Sequence, residues 1–216
     1  MSDVAGVQAL VVVDVQTAFF TGEGAVPAAR PVREAIEGML RRARERGVLV
    51  VHLQNDGPAG ADDEAGTPGW ELALPVVEGD REVVVRKKRD DGFDGTPLGG
   101  MLVSAGAKGI AVCGVMSEMC VSATARTALA RGYRVVLPHD AHATYDAPAA
   151  EGIGDAVPAA TVSRVAEWAL GAEVEVVARA ADVSFEQPVA EPTIGTTRQG
   201  APGARQGAPG AGTTTT

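Results

Sequence analysis

The sequence predicts a three-layer α/β/α sandwich around an open, mostly parallel, six-stranded sheet. Three observations predict it. Short continuous apolar runs, such as ALVVV at 9–13 and IAVC at 110–113, mark strands covered on both faces. Between such runs lie segments with apolar residues three and four apart, the period of helices with one buried face. Strand and helix then alternate along the chain, which in a compact domain gives parallel strands joined by right-handed crossovers.

The first strand, 9–13, ends at Asp14. An acid at the carboxyl end of a central strand is either solvated at a strand–loop junction or functional. Gln16, Phe19 and Phe20 follow in a loop bent by Gly22 and Gly24. A helix over 28–46 carries Val32, Ala35, Ile36, Met39, Leu40 and Ala43 on one face, arginines opposite, and Gly47 as its stop. The second strand is 48–53. The loop 54–76 is polar and glycine-rich, and a loop of that length in a compact domain is functional or mobile. Trp70 within it either walls a pocket or plugs the surface. The third strand, 82–85, leads into the charge cluster 86–91, most of which is expected in solvent. Thr96 caps the next helix, with Pro97 at its first position and its end near Ala105.

Residues 109–146 carry the densest information. The strand 110–113 ends at Gly114, a helix opens at Ser117 and runs to about 131, Gly132 stops it, and a strand follows over 133–137. Cys120 falls in the first turn of that helix, where free N–H groups and the helix dipole favour a thiolate. The same amides, with those of the preceding turn, are suited to an oxyanion. The alternative is a small buried cysteine that fills space. Cys113, inside the strand, reads as core. A helix over 159–170 and a strand over 174–177 complete the domain, which spans 1–186. Residues 187–216 differ in kind. They are Gly, Pro, Thr and Ala with RQGAPGA at 198–204 repeated at 205–211, a composition expected to stay disordered.

The chain has 216 residues and a net charge of −9, which argues against nucleic acid or an anionic membrane as partner. No apolar run has membrane-spanning length, and no basic segment precedes the first strand. The two cysteines make no disulfide framework, so a reducing cytoplasm is the expected setting.

Asp14 after the first strand, Lys87 after the third and Cys120 after the fourth all lie at strand carboxyl ends. An open parallel sheet binds ligands there, where the strand order reverses. An acid, an amine and a thiol meeting at that place make a nucleophilic site.

At this point the sequence resembles the isochorismatase-like cysteine hydrolases, a Rossmann-related family, over residues 9–177. VVVDVQTAFF resembles the family's opening strand, with Asp14, Gln16 and Phe19 at its marked positions. KKRDDGFDGTPL resembles the segment whose lysine lies six residues before a phenylalanine, which selects Lys87 over Lys88. GVMSEMCVSATARTALARGYRVVLPHDA resembles the nucleophile turn and the strand after it. The resemblance implies an Asp14–Lys87–Cys120 triad, a thioester route to hydrolysis of a C–N bond, a cis peptide at Val115–Met116, and an oxyanion hole from the Met116 and Cys120 amides. It also implies a small-molecule amide or lactam substrate among Gln16, Phe19, Trp70, Val115, Met116 and Tyr145, in a homodimer or homotetramer.

Nicotinamidases of the family carry a metal with an aspartate and histidines in the loop after the second strand. Here His52 belongs to the strand and no histidine follows it in that loop, so no metal, no other cofactor and no nicotinamidase activity are expected. GVMSEMCV followed by LPHDAHATYD is similar to the streptothricin hydrolase branch, which opens a cyclic amide. Two alternatives stand beside this reading. One is a cysteine-independent, isochorismatase-type hydrolase of a vinyl ether; the other is a catalytically silent binding protein on the same fold.

Overall fold

The computed structural model describes residues 6–77 and 79–188. Its centre is one parallel sheet in the order β3-β2-β1-β4-β5-β7. The strands are β1 (Ala9–Val13), β2 (Leu49–Asn55), β3 (Glu82–Lys87), β4 (Gly109–Val115), β5 (Arg134–Pro138) and β7 (Val174–Val177). A two-residue strand, β6 (His142–Ala143), lies beside the end of β4. All these pairings are parallel. Val13 of β1 is level with both Leu53 of β2 and Gly114 of β4, so the three central strands deliver their next residues to one edge.

The sheet separates two apolar cores because both faces are covered. On one side Leu10 and Val12 pack with Val32, Ile36, Met39, Leu40 and Ala43 of α2 (Ala29–Arg46). On the other, Ala9, Val11 and Val13 pack with Leu98 and Leu102 of α3 (Leu98–Ser104) and with Ala125 and Ala128 of α4 (Ser122–Ala130). α5 (Ala159–Ala169) contacts β6 and the turn before α4. Ile36 is wholly buried, and its truncation to alanine is expected to cost about 2–5 kcal/mol. α2 stops at Gly47, whose φ of 64° is left-handed and whose N–H returns to the Ala43 and Arg44 carbonyls.

Several bounds differ from the sequence-based expectation. β2 and β3 each run two residues further, because Gln54 pairs with Arg86 and Asn55 with Lys87. Hydrophobic patterning does not register those polar ends. A short helix, α1 (Thr17–Phe20), stands where a loop was expected. The helix after β4 begins as a π-helical turn (Ser117–Val121) before becoming α4. The loop 54–76 is laced to the start of the chain: Thr17 N–H donates to Glu71 O, Ala18 N–H to Gly69 O and Ala73 N–H to Val15 O.

Glu186 N–H donates to Val7 O, and Gln187 Nε2 donates to Arg46 O at 3.1 Å. Residues 189–216, most of the expected tail, lie outside the described residues. Among the described residues no helix is long and apolar enough to cross a membrane.

Candidate active site

The strand order reverses between β1 and β4, and the candidate site occupies the crevice at their carboxyl ends. Two backbone features shape it. Asp14 follows β1 with φ of 50°, a left-handed conformation that aspartate tolerates better than most side chains. Gly114 has φ of 118°, and a Cβ there would lie 2.0 Å from the Val13 carbonyl oxygen, so only glycine permits this approach of β4 to β1. The next peptide, Val115–Met116, is cis.

The turn bearing Cys120 is held from several directions. The Met116 carbonyl accepts from the Met119 and Val121 amides at 3.1 and 3.2 Å. Ser117 Oγ lies 2.8 Å from His142 Nδ1 and 2.9 Å from Ser163 Oγ. Thr144 Oγ1 donates to Glu118 Oε1 at 2.9 Å. The segment after β3 is tied to α4 as well. Gly92 N–H donates to Thr124 Oγ1 and Thr127 Oγ1 donates to Asp91 Oδ2, at 2.9 and 2.7 Å.

Lys87 is the last residue of β3. Strand alternation points it inward with Val85 and leaves Arg86 and Lys88 exposed, so period two selects the same lysine as the motif spacing. Its Nζ donates to Asp14 Oδ2 at 2.8 Å, to the Arg89 carbonyl at 3.1 Å and to Cys120 Sγ at 3.3 Å. Asn55 Oδ1 adds a long contact at 3.5 Å. The three residues of the expected triad are thus joined through one buried ammonium.

The electrostatics follow from this burial. Asp14 is 3% exposed, and desolvation pushes its carboxyl up to about 6 despite the opposing pull of Lys87. Its Oδ1 has no hydrogen-bond partner among the described residues. Burial pulls Lys87 down, but the Asp14 charge and Cys120 outweigh it and hold the ammonium above its ordinary range. Cys120 departs from expectation. Burial and then the Asp14 charge push its thiol up, against Lys87, so the resting group is a thiol rather than the thiolate expected from a helix start.

The expected ligand-binding residues divide into two groups. Gln16 is wholly buried; its Nε2 donates to the Asn55 and Trp70 carbonyls and its Oε1 accepts from Asn55 N–H. Val115 is also wholly buried, in the core on the α2 side. Neither side chain has an exposed face, in contrast to Phe19, Met116, Trp70 and Tyr145. Phe19 and Met116 are half-buried against that same core. Trp70 is half-buried, donates from Nε1 to Asp56 Oδ1, and carries the Arg86 guanidinium 5.0 Å from its ring centre. Tyr145 is exposed at the rim and donates to the Gly24 carbonyl.

The sequence reading missed Asn55 and Asp90. Asp90 Oδ1 lies 3.7 Å from Cys120 Sγ while staying exposed, as most of its charge cluster was expected to be. Position was the available signal, since Asn55 is paired with Lys87 and Asp90 follows it by three.

Comparison with known proteins agrees with this fold. The isochorismatase domain family matches residues 8–181. The chain belongs to the isochorismatase family. Streptothricin hydrolase of Streptomyces noursei is 66% identical over 179 residues, covering 83% of this chain and 71% of that enzyme. An isochorismatase from Pseudomonas putida has a TM-score of 0.72 at 30% identity, covering 82% of this chain and 90% of its own. A cysteine hydrolase from Pseudomonas syringae has the same TM-score at 26% identity, covering 81% and 90%. The sequence thus falls with the streptothricin hydrolase branch of the isochorismatase family.

Proposed function

We propose that this family member is a cysteine amidohydrolase that opens the cyclic amide of a streptothricin-like compound through a thioester on Cys120. The observation that carries this reading is the buried Lys87 Nζ, which bonds both Asp14 Oδ2 and Cys120 Sγ while Asp14 Oδ1 stays unpartnered. A carboxylate with one oxygen paired and one open is ready to accept a proton.

With its pKa near 6, Asp14 is mostly ionised at neutral pH and takes the Cys120 proton as sulfur attacks the amide carbon. Lys87 balances the negative charge that moves between Asp14 and Cys120. Charge develops on the carbonyl oxygen, and the Met116 and Cys120 amides are the donors assigned to it. Asp14 then passes its proton to the leaving nitrogen, the C–N bond breaks, and the acyl group remains on sulfur. Water, deprotonated by Asp14, hydrolyses the thioester. The ring-opened product, which carries both the new carboxylate and the freed amine, is released, and the thiol is restored.

The similarity to streptothricin hydrolase supports the choice of substrate class. The vinyl-ether alternative is disfavoured because it gives no role to a sulfur in contact with the buried ammonium. The test is Cys120→Ala with a streptothricin or a simpler lactam. Hydrolysis is expected to fall by on the order of 10⁶-fold, as for loss of a nucleophile elsewhere. Intact-mass spectrometry of the wild type, quenched early, is expected to show one acyl adduct on Cys120. Full turnover by Cys120→Ala would overturn the triad.

A further inference from the structure

Away from Cys120, His139, His142 and Glu167 gather at the exit of β5. Their donor atoms all lie within 4.8 Å of one another. His139 Nδ1 is 2.5 Å and His142 Nε2 is 3.1 Å from the same oxygen, Glu167 Oε1. Glu167 and His142 are buried, whereas the His139 side chain is 50% exposed. His139 and Glu167 also line a surface cleft of about 670 Å³, and His139 and His142 line another of about 410 Å³. We propose that His139 Nδ1, His142 Nε2 and Glu167 Oε1 form a divalent transition-metal site of the zinc class.

Two imidazoles and one carboxylate are a donor set that suits zinc rather than magnesium or calcium. Tetrahedral zinc with bonds of about 2.0–2.1 Å sets its donors roughly 3.3 Å apart; the two imidazole–carboxylate separations of 2.5 and 3.1 Å would widen slightly, and the whole donor set already lies within 4.8 Å. Without metal, the carboxylate oxygen shares the protons of both rings. With metal, each neutral ring moves its proton to its other nitrogen and the three lone pairs turn to the ion. His142 is built for this: its Nδ1 lies 2.8 Å from Ser117 Oγ, which lies 2.9 Å from Ser163 Oγ. Such an outer partner fixes the tautomer of a ligating histidine. Arg164 Nη1 approaches Glu167 Oε2 at 3.4 Å and leaves Oε1 for the metal. The half-exposed His139 gives the entry path, and a water completes the fourth position.

The site is separate from the missing histidines after β2 that set the expectation of no metal. It joins the turn His139–Ala141, β6 and α5, and through Ser117 it bears on the turn that presents Cys120. Its predicted role is to stiffen that turn.

The test uses the full chain without a polyhistidine tag, carrying Cys120→Ala to remove a competing thiol. After chelator treatment and dialysis against micromolar zinc, one zinc per chain is expected, and none from an equal concentration of magnesium. Zinc at a hundred times its Kd is expected to raise the melting temperature by roughly 5–10 °C. His139→Gln changes an exposed ring and so leaves folding intact. It is expected to weaken zinc by more than the 10–100-fold typical of losing an outer partner. Cobalt in place of zinc is expected to give the visible bands of a four-coordinate site, lost in His139→Gln. Absence of stoichiometric uptake, or equal uptake by His139→Gln, would overturn the proposal.

Discussion

Two buried carboxylates in this protein face nearly the same problem and resolve it differently. Asp14 and Glu82 are 3% and 4% exposed, and each has a cation within 3 Å. Both oxygens of Glu82 are paired: Arg44 Nε donates to Oε2 at 2.8 Å, Arg44 Nη2 to Oε1 at 2.7 Å, and His52 Nε2 lies 2.9 Å from Oε1. Burial raises its pKa, yet these partners outweigh it and bring the carboxyl down to about 2. Asp14 has one paired oxygen and one empty, and burial wins, to about 6. Heavier desolvation of Asp14, set against one ammonium rather than a two-pronged guanidinium and an imidazole, separates them. A carboxylate that only supports the fold is fully bonded; one that must carry a proton keeps a lone pair open in a dry place.

The sharpest way to break this contrast is to neutralise each acid in turn. Asp14→Asn keeps shape and volume but cannot accept the Cys120 proton. Amide hydrolysis is expected to fall by about 10²–10⁴-fold, with the chain still folded, as measured by initial rates and far-ultraviolet circular dichroism. Unchanged rates would remove Asp14 from proton transfer.

That contrast also marks the reach of the sequence. Strands and helices were legible because their patterns are local: Leu10 and Val12 alternate with Val11, and Ile36, Met39 and Leu40 recur at helical spacing. Asp14, Lys87 and Cys120 were legible as a set because each sits at a strand end. Which acid keeps an open oxygen was not, since Glu82 meets Arg44 from α2 and His52 from β2 only in the fold. The burial of Gln16 was hidden for the same reason. Its partners lie 39 and 54 residues away, and its burial depends on how the loop 54–76 folds back. The His139–His142–Glu167 cluster joins the turn after β5 and the strand β6 to the last turn of α5, 25 or more residues away, with no short motif to announce it.

Glu82→Gln is the complementary change. It leaves the Arg44 guanidinium without its anion and weakens the His52 bond, far from the reacting atoms. A loss of about 3–5 kcal/mol in stability is expected from urea unfolding, with kcat unchanged in the folded fraction. If kcat falls while stability holds, Glu82 belongs to the site and the contrast fails.

The smallest and finest test titrates both acids in the unaltered protein. The folded pKa of Asp14 is raised, so its protonation as pH falls through about 6 favours the folded state while removing the base. kcat/KM is therefore expected to drop about tenfold per pH unit below 6. The folded pKa of Glu82 is depressed, so its contribution is fully present above its ordinary 4.5 and is lost as pH falls toward 2. That loss is on the order of 3 kcal/mol. Between pH 6 and 4.5 the two effects separate: activity declines while neither acid weakens the fold. A rate profile measured beside urea midpoints at each pH reads both. Activity that holds through pH 6 and falls together with stability only below about pH 4 would mean that Asp14 is paired like Glu82, with no oxygen left open for the proton of Cys120.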